Sequence, residues 1–409
     1  MNHVEVSYYH VCKHNQNASG DIFVSQKDAD DGRIIATLSD GMGSGVKAGV
    51  LATLTATMAT KFVSSDIPIK KAAEIIMDTL PVCKERGISY ATFTIVDCKP
   101  NDQVKIMEYD NPPYILIRNQ CVIEPIKEQT LLERKNKKTA PKREAILSYS
   151  KFDAEIGDRL VFFSDGVTQA GMGKIGSPFG MGYDEVQNFI LEKIEKEPSI
   201  SARDLSHSVV SHALMYDKFN AEDDITCAVI YFRLPRKLLV VSGPPVEEEK
   251  DALIASIFDE FDGKKIVCGG TTANLISREL SRPLKCDLKD YNPLEREVPP
   301  ISRMDGAEFV TEGVFTLSKV CQILEDYDVS GLKNTVENEK LLSKNNAATK
   351  IVELFLNSDF IQFVVGTRIN QANQGPNMTN NLEIRRNLIK RIGLLLEEKY
   401  LKEVEFQYF

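Results

Sequence analysis

Ile34-Ile35-Ala36-Thr37-Leu38-Ser39-Asp40-Gly41-Met42-Gly43-Ser44-Gly45 is the stretch on which the reading of this chain turns. Its first five residues are apolar or β-branched and predict a buried strand. The strand delivers one carboxylate, Asp40, into a turn holding Gly41, Gly43 and Gly45. The Ala- and Thr-rich stretch that follows, 46–63, has helical character. An Asp at a strand end beside a glycine turn places a hard oxygen ligand where backbone carbonyls also approach, and Mg2+ or Mn2+ is commonly held in that way. The same logic recurs at Leu160-Val161-Phe162-Phe163-Ser164-Asp165-Gly166-Val167.

Around these two segments, strands are expected over 4–12, 21–26 and 32–38, and helices over 46–63 and 70–83. Pro68 stands just before the second helix, where a helix start tolerates it. Strands are expected again over 90–96, 104–109 and 115–118, with Asp110-Asn111-Pro112-Pro113 read as the turn of a hairpin joining the last two. The charged stretch 127–144, with Lys135, Lys137, Lys138, Lys142 and Arg143, reads as an exposed loop or hairpin tip; a docking surface for an acidic partner is the sharper alternative. Strands over 145–149 and 159–164, helices over 184–196 and 202–216, and a strand over 225–232 complete this half. Several strands in succession without intervening helices predict an α+β fold with antiparallel sheets.

Leu234-Pro235-Arg236 is the expected boundary, giving domains 1–235 and 236–409. Beyond it the pattern becomes strand, glycine turn, helix: 237–242 then Gly243-Pro244-Pro245 and an acidic helix over 246–261, and 264–268 then Gly269-Gly270-Thr271-Thr272 and a helix to 280. Phe309-Val310-Thr311-Glu312-Gly313 precedes a helix over 317–324, and a strand over 360–365 precedes Gly366-Thr367-Arg368. A last helix is expected over 381–399, and 281–306 as one long Pro-rich connection. This predicts an α/β domain with a largely parallel sheet. In such a sheet the glycine turns share one edge, where ligands bind. Gly270, Thr271 and Thr272 at a helix N-terminus favour an anion, and Arg368 adds a cation, so a small anionic ligand is one reading. Ordinary strand–helix turns are the other.

The chain has 409 residues, too many for one ordinary core. Its 43% hydrophobic and 27% charged content is that of a globular protein. A net charge of -9 argues against a general nucleic-acid binder, which needs a basic face. No apolar run approaches the roughly 18 residues of a membrane span, and Met1-Asn2-His3-Val4-Glu5 lacks the start of a signal peptide. A soluble, cytoplasmic protein is expected, with no membrane partner. The eight cysteines form no Cys-x-x-Cys pair, so neither a zinc ribbon nor a redox dithiol is supported. Neither a Gly-x4-Gly-Lys-Ser/Thr phosphate loop nor a Gly-x-Ser-x-Gly nucleophile elbow occurs.

Four acidic positions share one grammar: Asp21 in Ser19-Gly20-Asp21, Asp40 in Ser39-Asp40-Gly41, Asp165 in Ser164-Asp165-Gly166, and the pair opening Asp223-Asp224-Ile225-Thr226. Each lies at an expected strand edge beside Gly, Ser or Thr. Any one Asp-Gly pair is most simply a turn, but four in matching contexts converge if their strands are neighbours. Two divalent cations about 3.5–4 Å apart would then clamp a phosphate and activate a water between them.

In order and local sequence these elements resemble the metal-dependent (type 2C, PPM) serine/threonine protein phosphatases, and within them the bacterial stage II sporulation protein E-like branch. The matching pieces are Ser19-Gly20-Asp21, Asp40-Gly41-Met42-Gly43-Ser44-Gly45, Phe163-Ser164-Asp165-Gly166-Val167 and Asp223-Asp224-Ile225-Thr226, with Asp110-Asn111-Pro112-Pro113 as a shorter motif. The resemblance covers residues 1–233. It implies a PPM-type β-sandwich flanked by helices, with two divalent cations, Mn2+ or Mg2+, at one edge. It implies further that Asp40 bridges both cations and the Gly41 carbonyl binds one. Asp165 and Asp223 hold the other, Asp21 acts through water, and Asp224 stands behind the ligands. The implied activity is that of a phosphoric monoester hydrolase acting on phosphoserine or phosphothreonine of a regulatory protein, through activated water and without a phosphoenzyme. Asp40, Asp165 and Asp223 are then the catalytic carboxylates. The helices after Asp40 are regulatory in some relatives. The animal enzymes grip the phosphate with an N-terminal Arg; no Arg precedes Arg33 here, and Lys13 is the candidate in its place. The alternatives are a catalytically inactive scaffold with the same fold, or a small-molecule sensor acting through 236–409. A homodimer is compatible with either.

Overall fold

The structure is a computed structural model. It describes all residues except 1–2, 29–31, 44, 81–90, 100–102, 133–144, 175, 287–298, 328–340, 343–345, 369–378 and 401, and the side chains of 132, 145, 286 and 379–383 are likewise not described. The chain divides into two compact units, Met1–Leu234 and Pro235–Phe409.

The first unit runs β1 (His3–Val11), β2 (Asp21–Lys27), β3 (Ile34–Asp40), α1 (Val46–Ser64), α2 (Ile69–Thr79), β4 (Phe93–Cys98), β5 (Val104–Tyr109), β6 (Ile115–Arg118) and β7 (Cys121–Ile123). It continues with β8 (Lys127–Leu132), β9 (Ala145–Phe152), β10 (Arg159–Phe163), α3 (Asp165–Gln169), α4 (Tyr183–Lys196), α5 (Ala202–Tyr216) and β11 (Ile225–Arg233). Two antiparallel sheets form, in the orders β1-β11-β10-β6-β7 and β2-β3-β4-β5-β9-β8.

The stretch 34–38 shows why the sheets stack. Residues of a strand alternate between its faces, and here both faces are covered. Ile34, Ala36 and Leu38 join Ile106, Leu116, Phe162 and Ile230 in the core between the sheets. Ile35 joins Phe93 and Ile95 on the other face, under Ala59, Val63, Ile69 and Ile76 of α1 and α2. A strand buried on both sides needs an unbroken apolar run rather than an alternating one. The second sheet is covered in the same way, with Val161, Phe163, Cys227 and Val229 packed under Ile190, Leu205 and Val209 of α4 and α5.

Three expectations change. Asp110-Asn111-Pro112-Pro113 is not a hairpin turn: β5 pairs with β4 and β9 in one sheet, while β6 pairs with β10 and β7 in the other. The segment is a crossover between sheets, turned at Asp110 with φ 55°. The start of 127–144 is not a loop but β8, the edge strand paired with β9. Residues 133–144, with the five basic side chains named above, lie outside the described residues, as do 81–83 at the end of the second expected helix. A short helix, α3, starts at Asp165 where only a turn was expected.

The second unit runs β12 (Lys237–Ser242), α6 (Asp251–Glu260), β13 (Lys264–Cys268), α7 (Gly270–Glu279), β14 (Lys285–Cys286), β15 (Ser302–Arg303), β16 (Phe309–Thr311), α8 (Val314–Asp326), α9 (Ala347–Leu356), β17 (Phe360–Val365), α10 (Thr379–Glu398) and β18 (Glu403–Tyr408). One sheet has the order β14-β15-β16-β13-β12-β17-β18. Its last five members are mutually parallel, and in chain order they run 3-2-1-4-5. Leu239 and Val241 of β12 pack with Ile254 and Phe258 of α6 and Ile276 of α7. Leu238 and Val240 pack with Leu317, Phe355 and Ile392 of α8, α9 and α10. Helices therefore cover both faces, and the winding reverses between β12 and β17, the topological switch point of an open α/β sheet. The helix expected from 246 begins only at Asp251, after a 3-10 turn at Glu248–Lys250. The strands β14, β15 and β18 and the helix α9 were not anticipated.

No helix among the described residues is long and apolar enough to cross a membrane. Phe162 is fully buried between the two sheets. Phe162→Ala should cost about 3–5 kcal/mol, read as a lower denaturant midpoint for the first unit.

Candidate active site

The strand ends that carry the acidic motifs meet. Asp21 opens β2 and Asp40 closes β3, and in the antiparallel register the two are direct partners. Asp165 follows β10 as the first residue of α3, and Asp223-Asp224 precede β11, which pairs with β10. Asp40, Asp165 and Asp223 line one cleft of about 560 Å3, together with Met42, Thr92, Asp110, Asn111, Gln169 and Tyr183.

Asp21 and Asp224 stand behind that cleft. Asp21 is 5% exposed, and its Oδ2 accepts the Ser164 hydroxyl at 2.6 Å. Ser164 Oγ in turn accepts the Thr226 amide at 3.1 Å, so one buried serine ties β2 to β11. Both oxygens of Asp224 are taken by backbone: Oδ1 by the Lys13 amide at 3.0 Å and Oδ2 by the Gly20 amide at 2.8 Å. Asp224 thus fastens the loop after β1 to the turn that bears Asp223. Lys13 also brings its ammonium to 4.0 Å from Asp223 Oδ1, at the rim of the site.

The glycines beside two of the carboxylates are required by contact. A Cβ on Gly41 would lie 2.1 Å from the Ala48 carbonyl of α1, and one on Gly166 would lie 2.0 Å from the Asp224 carbonyl. Helix α1 presses on the Asp40 turn through small residues, Ala48, Gly49, Ala52 and Ala56, all buried. On the far side the Thr92 amide donates to the Asp40 carbonyl at 2.8 Å, and Asn111 bonds both Thr92 and Thr94. The Asp-Asn-Pro-Pro crossover thereby braces the strand beside Asp40. Its bracing role, that of Ser164, and that of Gln169, whose side-chain amide donates to Asp165 Oδ2 at 2.7 Å, are contacts that motif spacing does not reveal.

The carboxylates crowd one another. Burial, then the charges of Asp21, Asp165 and Asp223, push the Asp40 carboxyl up to about 10. Burial pushes Asp21 up to about 7. Burial and the Asp223 charge raise Asp165, and burial raises Asp223 against the opposing pull of Lys13. Among the described residues no three His, Cys, Asp or Glu side chains close on a single point as a cage would. The fit to a cation is one of chemistry: hard oxygen donors, unneutralised, in one cleft, which suits Mg2+ or Mn2+ with water completing the shell.

A cysteine-phosphatase arrangement is excluded by placement. Cys227 and Arg233 have the Cys-x5-Arg spacing of the cysteine phosphatases. Both lie on β11, about 20 Å apart at the strand rise. Cys227 is fully buried with its thiol pushed far up by burial, and Arg233 pairs with Glu5 at 2.6 Å. The histidines of α5 are packing groups: His212 stacks on Phe189 at 3.9 Å and His207 meets Tyr9 edge-on at 4.4 Å. His10 stacks on Tyr8 within β1.

In the second unit the glycine turns do lie at the carboxyl edge of the parallel strands, and Gly270, Thr271 and Thr272 open α7. The partners differ from those an anion would need. The Thr272 hydroxyl accepts the Gly243 amide at 2.7 Å, and Arg368 is bound to Glu248 at 2.7 Å. Arg385, which the sequence did not single out, reaches the same edge and donates to the Gly366 carbonyl at 2.9 Å.

A carboxyl that keeps its proton longer folded than unfolded makes the fold lose stability as pH rises. For Asp21 and Asp40 the window opens at the ordinary 3.8 and extends to about 7 and about 10. The metal-free protein should therefore lose thermal stability between pH 4 and 8, and Mn2+ should restore it. Asp40→Asn should raise the metal-free melting temperature by about 2–4 °C, about 1 kcal/mol, and reduce the rise on adding Mn2+; calorimetric scans with and without chelator would show both.

Residues 30–233 match the family model for stage II sporulation protein E (SpoIIE). Among solved structures, similarity is found to the PP2C phosphatase domain with a regulatory-domain fragment of SpoIIE from Bacillus subtilis, at 19% identity and TM-score 0.44. That match covers 57% of this chain and 64% of the other, less than two thirds of its length. RsbX in complex with magnesium is similar at 18% identity and TM-score 0.39, covering 57% of this chain and 100% of that one. The serine/threonine phosphatase of S. agalactiae is similar at 14% identity and TM-score 0.38, covering 56% and 99%. No functionally curated protein matches. Residues 30–233, just under half of the chain, thus form a domain similar to the SpoIIE family.

Proposed function

We propose that this protein is a metal-dependent serine/threonine protein phosphatase that hydrolyses phosphoserine or phosphothreonine on a regulatory protein, with two divalent cations, Mn2+ or Mg2+, in the Asp40 cleft. One observation carries the reading. The cleft is lined by Asp40, Asp110, Asp165 and Asp223, and among the described residues no Lys, Arg or His lines it. A phosphate dianion has no place among four carboxylates unless cations stand between them. Bound there, divalent cations would lower the pKa of a water and draw charge from the phosphoryl oxygens.

This chain's own residues do the rest. Asp40, at the junction of β3 and the glycine turn, would hold the cations together with the Gly41 carbonyl beside it. Asp165 and Asp223 approach from the second sheet. Asp21, held by Ser164, and Asp224, held by two amides, fix the backbones that present the other three. Lys13, near Asp223, is the cation nearest an incoming phosphate. The cytoplasm is the compartment that suits a protein of this composition. We assign the second unit a regulatory role, its input entering at the carboxyl edge of the parallel sheet near Gly270, Thr271, Thr272 and Arg368. An anion there would have to displace Glu248 from Arg368.

The test is turnover of a phosphoserine peptide with Mn2+, with and without chelator, beside Asp40→Asn and Asp165→Asn. Loss of a ligand should cost more than the 10- to 100-fold typical of a supporting residue, so each variant should fall by about 100-fold or more. Activity that persists in EDTA or in either variant would sink the two-cation assignment. A fully inactive wild type that still binds a partner would favour the scaffold reading instead.

A further inference from the structure

The segment between α3 and α4 joins the two sides of the cleft. Its ends are zipped onto α3, the helix that begins at Asp165: the Met181 amide donates to the Ala170 carbonyl and the Gly182 amide to the Thr168 carbonyl, both at 2.8 Å. Its first turn reaches the opposite way, to Asp217 at the end of α5. That carboxylate is 2% exposed. Its Oδ1 accepts the Gly171 amide at 2.7 Å and the Lys174 ammonium at 3.2 Å, and its Oδ2 accepts the Glu222 amide at 3.0 Å. Lys174 also meets Glu222 Oε1 at 2.9 Å. Glu222 directly precedes Asp223.

We infer that Lys174 and Asp217 form a latch that sets the spacing between Asp165 and Asp223, and through it the affinity of one of the two cation positions. Each carboxylate is held by short local contacts, Asp165 Oδ2 by the Gln169 side-chain amide at 2.7 Å and Asp223 Oδ1 by the Asp224 backbone amide at 3.0 Å. Helix α3 has five residues, and Asp223 lies on a turn with its side chain 45% exposed. Their like charges push them apart, and a cation shared between them needs a spacing that persists when the cation is absent. Capping the 217–222 turn requires only the carboxylate of Asp217. Lys174 adds something a cap does not need: a cross-link from the segment attached to Asp165 to the residue beside Asp223. It also offsets the charge of Asp217, which otherwise bears on Asp223.

The inference rests on the two-cation reading, so its test uses metal binding rather than turnover. Mn2+ is titrated calorimetrically into the full chain, and melting is followed in EDTA. Lys174→Met should weaken one class of Mn2+ site about tenfold and leave the other at its wild-type affinity, with the melting temperature in EDTA close to wild type. Lys174→Arg should restore the weakened site. Asp217→Asn should weaken the same site and also lower the melting temperature. Wild-type affinities in Lys174→Met, or equal weakening of both sites with a large fall in melting temperature, would overturn the latch alone. Absence of Mn2+ binding by the wild type would overturn the cation reading and the latch with it.

Discussion

Like charges held together at the rim of a β-sandwich are the constraint on which the first unit depends. Asp40, Asp165 and Asp223 share a cleft with no cationic side chain in its lining among the described residues, and Asp21 lies buried behind them. Left alone, such a group favours protonation or separation. The surrounding bonds oppose both. Asp21 is pinned by Ser164, Asp224 takes two backbone amides, and the Asp40 carbonyl is held by Thr92. These bonds cross between strands that are far apart in the chain, so the geometry of the carboxylates is a property of the sandwich as a whole.

Packing and chemistry meet at two glycines. Gly41 lets α1 come down on the turn after Asp40, and Gly166 lets α3 start against the backbone of Asp224. Any side chain there would separate a helix from a carboxylate-bearing strand. The small-residue face of α1 extends the same contact along the helix, from Ala48 to Ala59. A displacement of α1 would therefore be felt first at Asp40. On the other side of the cleft the buried Asp217 and its partners tie the end of α5 to the segment after α3 and to Glu222. The second unit follows a different rule: a largely parallel sheet wound on both faces, its central strand β12 apolar from Leu238 to Val241 because neither face meets water.

Much of this was legible in residue pattern. The strand 34–38, the helix from Val46, α5 and the strands β12, β13 and β17 follow from apolar runs bounded by glycine or proline, which are local signals. The failures were non-local. Whether Pro112-Pro113 closes a hairpin or crosses between sheets depends on which strands β5 and β6 find as neighbours, and the dipeptide is compatible with both. Strand β8 carries Lys127, Glu128, Gln129 and Thr130, a polar edge whose only strand-forming influence is its pairing with β9. Strand β18 alternates Glu403, Glu405 and Gln407 with Val404, Phe406 and Tyr408, a weak pattern that becomes a strand by adding to the edge of β17.

By itself the sequence determined which acidic residues are candidates for a site, because a hard cation accepts few donor types and these stand in short, recognisable turns: Asp40-Gly41, Asp165-Gly166, Asp223-Asp224. It also determined the two styles of folding on either side of Leu234, since apolar period and turn spacing are local. Only the tertiary structure decided how those residues divide their work. It put Asp40, Asp165 and Asp223 on the cleft, turned Asp21 and Asp224 inward to hold backbone and serine, brought Lys13 to the rim, and engaged Thr272 and Arg368 with partners of their own. The reason is that a carboxylate is the same group whether it faces water, a cation or a pair of amides; which of these it meets is set by strand register and by partners as far as 211 residues away in the chain.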